Sequence, residues 1–154
     1  MNQWHDVPYP GFNYTTSKIR ARVPFAMYLE HQPEGEFELW IHYGLKVGDI
    51  DKMIYAKWPG EIKTDVWYTF ENEIFWSLYE DGYARPKLNN LCFKVENNIE
   101  CELKGANMYH IRPNDYKMGL YWSGVQEHNR YIYYDDFKMS SQRTGYFPST
   151  KHIK

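Results

Sequence analysis

Apolar and polar residues alternate with a period of two along most of this chain, which predicts strands almost throughout. Between 18 and 30, Ile19, Ala21, Val23 and Phe25 alternate with Lys18, Arg20 and Arg22 before Pro24 interrupts the pattern. Between 36 and 47, Phe37, Leu39 and Ile41 oppose Glu36, Glu38, Trp40 and His42. The stretch Gln32-Pro33-Glu34-Gly35 carries turn residues, so these two segments read as an antiparallel hairpin. Further strands are predicted at 52–58, ended by Pro59-Gly60; 65–77, ended by Glu80-Asp81-Gly82; 90–96; 99–104; 116–123; and 130–139. No stretch of useful length repeats its apolar residues every 3.6 positions.

Many short strands separated by turn residues predict an all-β fold, a concanavalin A-like β-jelly roll built as a sandwich of antiparallel sheets. Residues 1–140 are expected to form this domain and 141–154, where alternation stops, an irregular tail. A length of 154 residues suits one domain of this kind. Aromatic residues make up 19%, with Tyr 15, Trp 6 and Phe 8; rings suit a half-buried pleated surface, and those not needed in the core could stack on sugars. The net charge of -2 argues against a nucleic-acid partner. No apolar run is long enough to cross a bilayer, so no membrane partner is expected. The stretch Met1-Asn2-Gln3-Trp4-His5-Asp6 has neither the basic nor the apolar region of a signal peptide. Cys92 and Cys101 flank the Asn97-Asn98 turn signal and could be bridged across a hairpin or remain two buried thiols.

Several segments carry candidate chemistry. On a strand, Gln3 and His5 share one face and Trp4 takes the other. In 116–123, Lys117, Gly119, Tyr121 and Ser123 share a face while Met118, Leu120 and Trp122 form an apolar one; a mid-strand glycine commonly marks a ligand or backbone approaching closely. Lys104-Gly105-Ala106-Asn107-Met108-Tyr109-His110 brings amide, phenol and imidazole groups into a loop beside the sheet. The paired Asp135 and Asp136 suit a structural use better than a cation site. No metal or cofactor is expected, because His42, His110 and His128 lack ligand spacing. A nucleophilic serine is unsupported, since no Gly-x-Ser-x-Gly elbow occurs. Glu71 and Glu73 lack the further carboxylate that a glycoside hydrolase on this fold would carry.

In order along the chain, Gln3-x-His5, the turn after Trp76-Ser77, Gly105-x-Asn107-Met108-Tyr109, Tyr116-Lys117-x-Gly119-x-Tyr121 and Tyr133-Tyr134-Asp135-Asp136-Phe137 resemble the jelly-roll polysaccharide lyases, among them the heparin lyase I, glucuronan lyase and family 7 alginate lyase groups. The likeness spans Gln3 to Lys138, although Tyr116 sits one place nearer the lysine than in the family pattern. In that family, strands carrying a substrate-binding arginine precede the Gln-x-His strand. This chain starts at that strand, and the resemblance therefore implies either that an upstream segment or a second chain completes the sheet or that this is a reduced domain.

The resemblance implies cleavage of an acidic, uronate-containing polysaccharide by β-elimination. Gln3 and a cation such as Arg20 or Arg22 would neutralise the uronate carboxylate and stabilise the enolate-like intermediate. His5 or Tyr121 would take the C5 proton, and Tyr121 would donate to the departing O4. Lys117, on the Tyr121 face, would favour phenolate or bind substrate, and Asn107 and Tyr109 would contribute binding. A lyase of this kind acts outside the cell or on a virion. The competing expectation is a non-catalytic lectin or adhesin module of the same fold, which keeps the rings and lacks the acid–base pair.

Overall fold

The computed structural model describes residues 2–5, 23–33, 35–47, 50–109, 114–119 and 131–140. The chain divides into two compact units, Met1–Gly119 and Leu120–Lys154. In the first, the strands are β1 (Asn2–His5), β2 (Phe25–His31), β3 (Phe37–Val47), β4 (Ile50–Lys57), β5 (Phe70–Phe75), β6 (Tyr83–Leu88), β7 (Leu91–Val95), β8 (Asn98–Glu100), β9 (Leu103–Lys104) and β10 (Asp115–Met118). They form one 10-stranded sheet in the order β10-β1-β2-β3-β4-β7-β6-β5, with β8 beside β7 and β9 beside β6. Every pairing is antiparallel. The fold is all-β, a curled antiparallel sheet of the β-sandwich and jelly-roll kind, and no helix occurs among the described residues.

The alternation of β3 fixes which face is inside. Leu39, Ile41, Tyr43 and Leu45 are buried, while Glu38, Trp40 and His42 project from the opposite face. The sheet curls around the buried face, so that Phe25, Ile41 and Ala56 from its first strands share one core with Ala84, Leu88 and Phe93 from its last. The opposite face is polar, and it carries the candidate site.

The β2–β3 hairpin forms as its turn residues predict, with Gln32 N–H donating to the Glu36 carbonyl at 2.8 Å and Gly35 N–H to the Gln32 carbonyl at 2.9 Å. Asn89 and Asn90, both left-handed, make the two-residue turn between β6 and β7. The next turn falls on Glu96-Asn97, one place before the Asn97-Asn98 signal; Glu96 takes the left-handed conformation and Val95 pairs with Asn98. Cys92 and Cys101 form a disulfide across this β7–β8 hairpin.

Several expected strands are corrected. The strand expected at 18–30 begins only at Phe25, after Pro24, and residues 18–22 lie outside the described residues. The strand expected at 65–77 starts at Phe70, because Asp65 is left-handed and Asn89 captures the Thr69 N–H at 2.8 Å. The segment 99–104 splits into the ends of β8 and β9 around Cys101. β6 was not expected, since it contains Pro86. On the side of β7 and β9, β6 is paired at Tyr83 and Ala84 and again at Lys87 and Leu88, so Pro86 falls in the gap between two partners, where no ladder N–H is required.

In the second unit, the strand expected at 130–139 is absent: residues 131–140 make no described ladder. Asp136 is left-handed and donates its N–H to Asp135 Oδ1 at 2.8 Å, a local turn that breaks extended structure. The tail at 141–154 lies outside the described residues.

Candidate functional site on the polar face

Register places the candidate residues in rows across the sheet. Gln3 of β1 stands directly opposite Lys117 of β10 and, on its other side, opposite Ala26 of β2. The same row continues through His42 of β3 to Tyr55 of β4. Directly opposed residues share a face, so the positions of Gln3 and Lys117 belong to the polar face that carries His42 and Tyr55. His5 lies opposite Asp115 on that face, one pleat period along β1. Among the described residues β10 is an edge of the sheet, and Lys117 is exposed there.

Rings dominate the middle of this face. The Tyr28 and His42 rings lie 4.1 Å apart between centroids, tilted by 33°. Those of His42 and Tyr55 lie 4.7 Å apart, edge to face at 81°. Tyr28 pairs with Trp40, and Trp40 with Lys57. Glu38 accepts hydrogen bonds from Trp40 Nε1 at 3.1 Å and from Lys57 Nζ, and the Lys57 ammonium sits 5.8 Å from the Trp40 ring centroid. These contacts tie Glu38 to Lys57 and lower its carboxyl below the usual range, chiefly through the Lys57 hydrogen bond. Burial lowers the pKa of His42, and burial together with Tyr55 raises that of Tyr28. Both rings are therefore neutral near pH 7.

The loop after β9 divides between two tasks. Beside β3, past the point where β2 begins opposite Tyr43, Gly44 N–H donates to the Pro24 carbonyl at 2.9 Å and Lys46 N–H donates to the Ala106 carbonyl at 2.7 Å. The loop thus takes over the ladder that β2 leaves. Asn107 turns into the interior and is 0% exposed. Its Oδ1 accepts the Ser77 N–H at 2.8 Å, and its Nδ2 donates to the Phe75 carbonyl at 3.0 Å and the Tyr83 carbonyl at 3.4 Å. Expected to bind substrate, Asn107 instead clamps the end of β5 and the Ser77 that follows it to the start of β6. Gly82 has no room for a side chain, since a Cβ there would meet the Gly105 carbonyl and Asn107 Oδ1. Tyr109 reaches the polar face: its hydroxyl lies where a side chain on Gly44 would be, and its carbonyl accepts from Lys46 Nζ at 3.5 Å.

Gln3, His5 and Lys117 are thus assembled on one face at the level of the backbone, with Tyr109 on the same face at its β3 end. Arg20, Arg22 and Tyr121 lie outside the described residues. Met118 falls on the apolar face as expected, yet it is 38% exposed on β10, which has no further strand beside it among the described residues. Among the described residues, a Cβ on Gly119 would meet nothing within 4 Å, so none of them makes the close approach that a mid-strand glycine suggests. Sequence reasoning passed over the cluster of Tyr28, Trp40, His42 and Tyr55. The alternation did place Trp40 and His42 on the polar face; what it could not supply was the register that brings Tyr28 and Tyr55 beside them.

Among the described residues no group of His, Cys, Asp and Glu is arranged to hold a metal ion. No known protein family, curated protein or solved structure matches the chain.

Proposed function

We propose that the polar face binds an acidic, uronate-containing polysaccharide and that the chain cleaves it by β-elimination. The observation that carries this reading is the register that sets Gln3 opposite Lys117, in the row that runs on to His42 and Tyr55. A carboxamide position beside an ammonium suits a uronate carboxylate, whose negative charge otherwise keeps the C5 proton from leaving. His5 would accept that proton as it departs from C5. From the sequence, Tyr121 is assigned to protonate O4 as the C4–O4 bond breaks, which leaves a C4–C5 double bond and consumes no water. The neutral rings between the strands would support the sugar chain without competing for its charge.

The test is incubation of the chain with glucuronan, alginate and heparin while ultraviolet absorbance is followed for the unsaturated uronate. Absorbance that grows with the wild-type chain and falls about 10²- to 10⁴-fold in His5→Ala and Tyr121→Phe supports the reading. Binding without absorbance for every polymer overturns it in favour of a carbohydrate-binding module of the same fold.

A further inference from the structure

Resting on the polar face as a polysaccharide-binding surface, we propose that Tyr28, His42 and Tyr55 form a ring-stacking subsite that holds the flat C–H face of one pyranose residue, apart from the Gln3 and Lys117 positions. The three side chains come from neighbouring strands β2, β3 and β4 and meet at 4.1 Å and 4.7 Å between ring centroids. Tyr55 is 52% exposed, so the cluster presents a ring to solvent rather than closing into the core. Rings clustered and held against one another on a solvated sheet face are a pre-ordered apolar surface, the kind that a ligand covers at small entropic cost.

The chemistry of the surroundings selects the occupant. Neutral rings with phenol groups at their rims suit a pyranose, whose axial hydrogens pack on an aromatic face while its hydroxyls bond at the edge. The lowered pKa of His42 and the raised pKa of Tyr28 keep the surface uncharged near neutrality. Fixed charges border it on β3 and β4. On one side lies the Lys57–Glu38 pair beside Trp40, and on the other Lys46 beside Tyr109. The Lys57–Glu38 pair cancels its own charge, which leaves the Lys46 ammonium as a cation beside the neutral platform. A protein partner would favour an interface centre free of such charges, whereas a polymer bearing a carboxylate on its sugars gains from that cation.

The experiment is affinity electrophoresis or calorimetry of the complete chain with glucuronan, alginate and heparin, and with neutral xylan as the uncharged comparison. Tyr55→Ala should weaken binding about tenfold or more, and Tyr55→Trp should retain most of it, because a ring and not a hydroxyl is required. Since Tyr55 is already half exposed, the thermal melting of Tyr55→Ala should coincide with that of the wild type, which separates a lost contact from a lost fold. Uronate polymers that bind wild type and Tyr55→Ala equally overturn the subsite and leave the lyase reading standing. Ring-dependent binding to xylan with no binding to any uronate polymer supports the subsite and overturns the lyase reading. No binding to any of the polymers overturns both.

Discussion

Replacing Asn107 tests whether it is a clamp or a ligand-binding residue. In Asn107→Ala the Ser77 N–H loses its acceptor, and the Phe75 and Tyr83 carbonyls lose a donor, all beside a position that is 0% exposed. An intact hydrogen bond contributes only about 1 kcal/mol net, but a buried group left unpaired costs about 1–3 kcal/mol. The Tyr83 bond at 3.4 Å is the weakest, so the loss should come to about 3–5 kcal/mol, a large share of the about 5–15 kcal/mol that holds a domain of this size together. Urea unfolding should show the midpoint falling while the slope stays constant, as expected when the native state alone changes.

Asn107→Asp sharpens the test. The carboxyl keeps the Ser77 N–H as partner, but its second oxygen faces two carbonyls. The charged form is disfavoured there, and the folded pKa rises above the unfolded value of about 3.9. The variant is therefore closest to wild type below that unfolded pKa. It loses about 1.4 kcal/mol per pH unit as pH rises above it, until the folded pKa is reached. A loss below about 1 kcal/mol for Asn107→Ala, or an Asn107→Asp penalty that does not depend on pH, would refute the clamp.

Other outcomes follow from single features. Removing the disulfide as Cys92→Ser with Cys101→Ser opens a loop of sequence separation 9 and should cost about 2.5–3 kcal/mol by chain entropy, readable as a lower melting temperature that reductant does not lower further. Gly44→Ala drives a methyl group into the Tyr109 hydroxyl, with the Val23 carbonyl at 3.1 Å and Pro24 Cα at 3.3 Å preventing retreat; about 1–3 kcal/mol of destabilisation and a changed tyrosine near-ultraviolet signal are expected. Because burial sets the folded pKa of His42 below its unfolded value, the unfolded chain binds the extra proton. Wild-type stability should fall as pH drops below about 6.5 and stop falling below the folded pKa, and His42→Gln should remove that component from a pH series of melts.

The strands legible in the sequence are those whose alternation met no local competitor. β3 is the clearest: Phe37, Leu39 and Ile41 took the core face, and Trp40 and His42 the other. β6 stayed hidden because Pro86 reads as a breaker until two short partners, β7 and β9, leave it a gap. The segment with Asp135 and Asp136 failed in the opposite sense, since a side chain that captures the next N–H outcompetes the extended form its apolar residues suggest. For the site, period-two spacing sufficed to set Gln3 with His5. It could not reveal that Asn107, polar and in a loop, would be the most completely enclosed amide near β5, because enclosure depends on partners 24 and 32 residues away.

The ladder that passes from Pro24 to Ala106 along β3 also sets an order of events. The hairpins of β2 with β3 and of β6 with β7 join neighbours in sequence and can form early, whereas the Tyr43 hydroxyl bond to the Gly105 carbonyl and the Lys46 bond to the Tyr109 carbonyl close spans of 62 and 63 residues. Such spans carry the larger closure entropy and come late on the way to the native state. The same segment should then be among the first to detach in the folded protein. The amide of Lys46 would exchange with solvent deuterium sooner than that of Trp40, deep in the β2–β3 ladder, and each such opening would lift Tyr109 from Gly44 while the ring cluster of Tyr28, His42 and Tyr55 stayed in place.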